Sequence, residues 1–343
     1  MGRTDIDAPP ERASRHDWRR LLPGFVVSAV CVLIIVLTVD FRQMMAALRL
    51  ADYGLIALGI LITLAWLLVR GYLWRALLQG QASLGAVFLT LNEGYLLNNV
   101  LPFRLGEIGR AFLLSRKAGL DFWRVLSSIL IERALDIAVA VGLLLVSLPF
   151  VVGASWARQA ALGAGSLILA VFVVLYLLGS NRARALSFFE RLAGRWPWLG
   201  RFTGRVVPAL LSGLEVLTDK RRFVGALGLL LLNWTLGVAQ YYTILSAFFP
   251  GVKLLWPVFT LGVAALGLAA PSTPGAVGVF ELVIVGALKL FDLNPSVSLA
   301  FAVVLHIEQY LVTAAFGTYA LARDGETLAG LYQRVRSLRK SAI

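Results

Sequence analysis

LNEGYLLNNVLPFRLGEIGRAFLL, residues 91–114, is the stretch that decides the fold. It lies in an apolar region, yet it carries Asn98 and Asn99 and then breaks at Pro102. Proline removes a backbone hydrogen bond and ends or kinks a helix. The stretch therefore predicts a helix over 84–101, a break, and a short second helix over 106–114.

The composition around this stretch is that of an integral membrane protein. Of 343 residues, 59% are hydrophobic and 15% are charged, whereas soluble domains are about 45–50% apolar and about a quarter charged. A helix needs about 20 apolar residues to cross the hydrocarbon layer. We predict an all-α polytopic membrane protein with six full spans and two broken or re-entrant hairpins. The six spans are 21–39, 53–69, 125–148, 159–179, 223–249 and 297–322.

A second interrupted region lies near the C-terminus. Residues 256–270 are apolar and run into Pro271, Pro274, Gly275 and Gly278 before a short apolar helix over 279–291. Interrupted segments in corresponding halves of a chain point to a transporter binding site. We predict that the two hairpins are inverted repeats and that their tips approach each other closely.

The basic residues predict the orientation. With two re-entrant hairpins, 26 of the 32 lysines and arginines fall on one side of the membrane, and cytoplasmic loops carry that excess. We therefore predict a cytoplasmic basic segment over 1–20, a transmembrane domain over 21–322 with an interfacial amphipathic loop over 180–222, and a basic cytoplasmic tail over 323–343. The net charge of +13 is interpreted as this bias and as attraction to anionic lipid, and no nucleic-acid partner is expected.

Ionisable residues at membrane depth are costly and need a partner or a purpose. A structural network is one reading, in which Arg133 neutralises Asp136 and Glu132 neutralises Arg104 or Arg110. Proton carriage is the other. The residues assigned to this proton-coupling or ion-pair network are Glu93, Glu132, Arg133, Asp136 and Glu308.

The restart of a helix after each break predicts an anion site. Its first N–H groups lack intrahelical partners and the helix dipole is positive there, which suits phosphate or carboxylate. Arg104 adds a cation beside the first restart, and Ser272 and Thr273 add hydroxyl groups beside the second. The predicted substrate-binding residues are Asn98, Asn99, Arg104, Glu107, Arg110, Ser272, Thr273, Gly275, Gly278 and Glu281.

The sequence lacks the common catalytic and metal-binding motifs of enzymes. It has no HExxH, no Walker A sequence and no Cys/His metal set, and its two histidines are His16 and His306. A packed or hydrogen-bonded role is expected for His306. We predict no cofactor and no metal site.

Three motifs carry a family resemblance: residues 91–114, ERALDIAV at 132–139 and PSTPGAVGVFE at 271–281. Together they resemble the lysylphosphatidylglycerol synthetase transmembrane, or flippase-like, family over about residues 21–322. The resemblance implies lipid flipping. The synthetases carry a soluble aminoacyl-transferase domain of a few hundred residues after the last helix, whereas this chain stops at Ile343, so lysyl transfer is not expected.

The leading hypothesis is a lipid translocator that is not an enzyme. It would move an anionic phospholipid or a polyprenyl-phosphate-type lipid across the cytoplasmic membrane, passively or coupled to protons or another ion. The expected partners are membrane lipids with anionic headgroups. One alternative is a membrane-embedded lipid-modifying enzyme with Glu107 or Asp136 as base. The other is a non-catalytic partner of a lipid- or glycan-synthesis enzyme. The oligomeric state is left open.

Overall fold

The computed structural model describes residues 15–101, 105–152, 155–195, 206–214, 218–268, 273–328 and 330. Within these ranges the chain is helical, without strands. The helices are α1 Arg15–Thr38, α2 Phe41–Leu50, α3 Tyr53–Leu77, α4 Leu84–Val100, α5 Leu105–Ala118, α6 Phe122–Val152, α7 Ser155–Ser180, α8 Arg182–Arg195, α9 Val206–Gly213, α10 Lys220–Ser246, α11 Leu255–Gly267, α12 Val279–Lys289 and α13 Pro295–Arg323, with a 3₁₀ turn at Pro274–Ala276.

Six long helices coincide with the six predicted spans: α1, α3, α6, α7, α10 and α13. Of these, α3, α6, α10 and α13 are each long and apolar enough to cross a membrane. The prediction of an all-α polytopic membrane protein is therefore confirmed.

The first predicted span does not continue straight into the next element. At Asp40 the chain bends by 84° from α1 into the short helix α2. The Asp40 carboxylate accepts hydrogen bonds from the N–H groups of Arg42 and Gln43, which caps α2. The N–H of Asp40 donates to the Ser296 hydroxyl of α13 at 3.0 Å. The bend is thus held by a cap on one side and by α13 on the other.

Both predicted breaks are present, and the first forms a tight hairpin. Helices α4 and α5 pack closely where Gly94 meets Gly106. The N–H of Gly106 donates to Asn98 Oδ1 at 2.9 Å, which ties the start of α5 to the end of α4. A side chain at Gly106 would overlap the Gly94 carbonyl oxygen, so this approach requires glycine.

The tips of the two hairpins meet, as predicted. The Asn99 carbonyl at the end of α4 lies beside Gly275 in the 3₁₀ turn of the second hairpin. Helix α13 packs against both α4 and α12, and Tyr310 of α13 donates a hydrogen bond to the Gly275 carbonyl. The membrane sides from which the hairpins enter stay a prediction.

Trp74 anchors the interior where α3, α4, α5 and α6 meet. Its side chain is fully buried in an apolar cluster that includes Leu91, Leu114 and Ile129. Its indole N–H donates to the Ser128 hydroxyl of α6 at 3.0 Å. This packing fixes α3, α5 and α6 around the charged residues described next.

Candidate functional site

Glu132 of α6 is the centre of a buried group of charged side chains. Its Oε1 atom lies 2.5 Å from Arg70 Nη2, 3.2 Å from Arg110 Nη2 and 3.0 Å from Arg133 Nη2. These arginines come from α3, α5 and α6 respectively. One carboxylate therefore joins three helices.

Two further acids complete what we call the ion-pair cluster. Asp136 pairs with Arg70 and lies 3.6 Å from Arg133 Nη1. Glu107 lies 3.2 Å from Arg110 Nε and 3.6 Å from Arg133 Nε. Three arginines thus face three acids, so the cluster is formally neutral, as buried charges require. Its members are Arg70, Glu107, Arg110, Glu132, Arg133 and Asp136.

Aromatic and amide groups enclose the cluster on the side of α3 and α10. The Arg110 guanidinium lies 4.6 Å from the centre of the Trp74 ring, a distance typical of a cation–π contact. From α10, Asn233 Oδ1 accepts from Arg70 Nη1 at 3.3 Å, and Trp234 Nε1 donates to Asp136 Oδ1 at 3.3 Å. Helix α10 is therefore tied to the same charges as α3 and α6.

The cluster has a buried floor and an accessible rim. The side chains of Glu132 and Arg110 are 0% and 1% exposed, whereas those of Arg133 and Glu107 are 34% and 22% exposed. Within the described part of the chain, Arg110 Nη1 has no hydrogen-bond partner. A donor without an acceptor therefore lies directly beneath the rim.

The sequence predicted part of this cluster and missed Arg70. The predicted proximity of Glu132 to Arg110 and of Arg133 to Asp136 is present. Arg70 and Arg110, which the sequence placed among the basic residues of the loops, are buried in the cluster. Arg70 resembles a positive-inside flank at the end of an apolar run. The apolar residues Leu73 and Trp74 that follow it were the signal that the span continues. When Arg70 and Arg110 are left out of the count, most of the remaining lysines and arginines still fall on the predicted cytoplasmic side.

Glu93 belongs to a separate ion pair. Lys117 Nζ of α5 lies 2.7 Å from Glu93 Oε2, donates to the Thr90 hydroxyl at 3.1 Å, and also pairs with Asp324. Partial burial acts to raise the pKa of Asp324, but the hydrogen bond from Lys117 and the nearby positive charge lower it below its usual value. Lys117 thus links the first hairpin to the end of α13.

Lys117→Met is expected to destabilise the protein strongly. Glu93 is completely buried, and removing the partner of a buried charge costs about 3–5 kcal/mol. Arg116→Met is the matched control, because Arg116 is 58% exposed and lies 3.6 Å from Glu326. Such an exposed pair contributes about 0–1 kcal/mol. Thermal melting of both variants in detergent measures the difference, and equal losses would contradict the assignment.

In the second hairpin, the predicted binding residues hold the turn itself. Glu281 Oε2 accepts from the N–H of Gly278 at 2.7 Å, and its Oε1 is hydrogen-bonded to His306 Nδ1. The other ring nitrogen of His306 lies 3.0 Å from the Gly275 carbonyl oxygen. Gly275 and Gly278 have φ values of +72° and +83°, a region that favours glycine. The hydrogen-bonded role expected for His306 is confirmed.

Both predicted helix-start anion sites already have an internal acceptor. Asn98 accepts from the Gly106 N–H in the first turn of α5, and Glu281 accepts from the Gly278 N–H at the start of α12. The side chain of Asn99 instead donates to the Thr313 hydroxyl at 3.1 Å, and Thr273 is hydrogen-bonded to Ser28 of α1. Of the residues singled out at the two breaks, Pro102, Arg104, Pro271 and Ser272 lie outside the described ranges.

Residues 21–317 match the family model described as the lysylphosphatidylglycerol synthase TM region. The chain belongs to this family. The match confirms the resemblance carried by the three motifs. It includes the whole ion-pair cluster and both hairpins, whereas Asp324, which pairs with Lys117, follows the matched region.

Similar proteins occur in Methanothermobacter thermautotrophicus and Haloferax volcanii. The chain is 23% identical to a UPF0104 membrane protein of Methanothermobacter thermautotrophicus over 91% of this chain and 95% of that protein. A second UPF0104 membrane protein of the same organism is 22% identical over 89% and 95%. Glycosyltransferase AglD of Haloferax volcanii is 25% identical over 87% of this chain, but the match covers only 53% of AglD.

Proposed function

We propose that the protein moves lipids with an anionic, phosphate-containing headgroup between the leaflets of the cytoplasmic membrane, with both of its termini in the cytoplasm. Family membership supports a role at the membrane lipid. The observation that carries the proposal is the rim of the ion-pair cluster. There, Glu107 lies between Arg110 and Arg133 while the floor remains paired without it.

Charge balance dictates how such a headgroup would bind. Because the cluster is formally neutral, a phosphate binds well only if one carboxylate gives up its arginines. Glu107 is the best suited of the three acids, since its arginine contacts are 3.2 and 3.6 Å long and its side chain is partly exposed. Glu132 is completely buried and contacts three arginines. The headgroup would therefore take the place of the Glu107 carboxylate.

The donors on this rim fit a phosphate. Arginine presents a planar fork of N–H groups that binds phosphate through two parallel hydrogen bonds. Arg110 Nη1, which has no hydrogen-bond partner within the described ranges, would donate to the phosphate from the floor of the cluster. The partly exposed Arg133 would donate to it from the rim. Displaced Glu107 would turn toward water, so no charge is left buried and unpaired. Arg70 and Glu132 would keep α3 and α6 together during the exchange.

Arg133→Gln tests the proposal in reconstituted vesicles. A charge-assisted hydrogen bond contributes about 1.5–3 kcal/mol, which corresponds to about a tenfold to hundredfold change. We expect transbilayer exchange of fluorescent phosphatidylglycerol to fall by at least about tenfold. The variant should stay folded, because Arg133 lies on the partly exposed rim, Glu132 and Asp136 each retain Arg70, and Glu107 retains Arg110, so no buried acid loses its last partner.

The control variant is Arg116→Gln, which removes an exposed arginine outside the cluster and should exchange lipid at the wild-type rate. A glycolipid without phosphate is the control substrate, because its movement should not depend on Arg133. Wild-type protein that accelerates no anionic lipid would overturn the proposal. Equal effects of the Arg133 and Arg116 substitutions would overturn the assignment of the rim.

A second candidate rests on the match to Glycosyltransferase AglD, which leaves about half of that protein unmatched. In this alternative the chain is a membrane partner that presents a lipid to an enzyme of glycan synthesis. It predicts that the purified chain retains a phosphate-bearing lipid without exchanging it between leaflets. Headgroup-resolved analysis of the co-purified lipid, together with the exchange assay, distinguishes the two functions.

A further inference from the structure

Glu308 is a buried acid without a basic partner. It lies in the middle of α13, is 5% exposed, and accepts a hydrogen bond from Gln240 Nε2 of α10 at 2.8 Å. Its other oxygen, Oε1, has no hydrogen-bond partner among the described residues. The other buried glutamates of that part of the chain each have a basic partner: Glu132 pairs with three arginines, Glu93 with Lys117 and Glu281 with His306.

The surroundings of Glu308 favour its neutral form. An ionised carboxylate without a cation is costly at membrane depth, and taking up a proton removes that charge. The Thr63 hydroxyl of α3 faces the carboxyl group and also lies 3.1 Å from the Gly59 carbonyl oxygen, and neither Thr63 nor Gln240 brings a positive charge.

Two helices connect Glu308 to the ion-pair cluster. On α3, Thr63 precedes Arg70 by seven residues, and on α10, Gln240 follows Asn233 by seven. Seven residues are about two helical turns, or about 10 Å, and return to nearly the same helix face. Arg70 and Asn233 are hydrogen-bonded to each other in the cluster. A shift of α3 or α10 would therefore act on both places at once.

We infer that Glu308 is a proton-binding site and that release of its proton is coupled to lipid movement. The proton site stands on the contacts of Glu308 alone. The coupling rests on the proposed function. A bound proton keeps the interface of α3, α10 and α13 neutral and closed, whereas an ionised Glu308 would require water or a cation and would open it.

The other titratable groups on the packed elements are engaged elsewhere or neutral. Tyr241 of α10 lies near Glu308 and is itself buried. His306 on α13 contacts Glu281 of α12 and Gly275. On α3, Arg70 pairs with Glu132 and Asp136. On α4, Glu93 pairs with Lys117 and Tyr95 lies near Arg70. Helix α2 contributes Arg42 and Arg49, and it meets α13 at Ser296, the opposite end of that helix from its cytoplasmic tail.

The proton site is tested with dicyclohexylcarbodiimide, an apolar reagent that attacks protonated carboxyl groups. Purified protein in detergent is treated at about pH 6, where an ordinary glutamate is ionised, and modification is located by mass spectrometry. We expect Glu308 to be modified, with Glu132 as the internal control that stays unmodified beside its three arginines. No modification of Glu308 in folded protein would overturn the site. Protection by sodium ions at constant pH would also overturn it, by assigning the site to sodium.

Coupling is tested in vesicles with a pH gradient of one unit. One coupled proton would sustain up to about a tenfold difference in fluorescent phosphatidylglycerol between the leaflets. For Glu308→Gln, the distribution of the fluorescent lipid between the leaflets should be the same with and without the pH gradient. Wild-type protein that exchanges lipid but ignores the gradient would overturn the coupling and leave the proposed function standing. Wild-type protein that exchanges no lipid would overturn both, and the modification of Glu308 would decide the proton site by itself.

Discussion

Gly106→Ala is expected to prevent the first hairpin from forming, with a loss of stability of about 3 kcal/mol or more. The added methyl group would overlap the Gly94 carbonyl oxygen and lie 2.5 Å from Asn98 Oδ1. The Gly94 oxygen belongs to the backbone of α4, so it moves only if the helix moves. Moving α4 away from α5 would break the hydrogen bond from the Gly106 N–H to Asn98.

Gly85→Ala is the matched control on the same hairpin. Gly85 lies near the start of α4, and a methyl group there meets no atom within 4 Å among the described residues. Alanine in a helix is about 0.5–1 kcal/mol more favourable than glycine, so this variant should melt at the wild-type temperature or slightly above. Folded yield and melting temperature in detergent measure both variants. Wild-type behaviour of Gly106→Ala would mean that α4 and α5 are not packed through their glycines.

Glu132→Gln is expected to cause the second large loss of stability, about 3–5 kcal/mol. Lipid exchange should be lost with it. Glutamine keeps the shape of the side chain but removes the charge that faces Arg70, Arg110 and Arg133. Three arginines would then share two acids in a buried site. Repulsion among them would separate α3, α5 and α6.

Restoring the charge balance separates this explanation from a general loss of packing. In Glu132→Gln combined with Arg110→Gln, two arginines face Asp136 and Glu107, and we expect part of the stability to return. Glu190→Gln, at an exposed position of α8, should stay within about 0.5 kcal/mol of wild type. If the double variant is less stable than Glu132→Gln alone, charge balance is not what the cluster provides.

The membrane class, the six long helices and the two breaks followed from the sequence because each depends on neighbouring residues. An apolar run of about 20 residues must lie in the hydrocarbon layer whatever surrounds it, and proline interrupts a helix wherever it falls. The motif ERALDIAV likewise located Glu132, Arg133 and Asp136 on one helix and indicated the family, which the match over residues 21–317 confirmed.

The partner of each charge was decided by the tertiary structure. Arg70 resembled a cytoplasmic flank until α3 was seen to place it beside Glu132 and Asp136. Glu93 proved to pair with Lys117, and Glu281 with His306, while Glu308 has no cation beside it in the described ranges. A charged side chain in a sequence reveals the cost of burial but not which helix compensates it. That depends on contacts between residues far apart in the chain, which arise only when the helices pack.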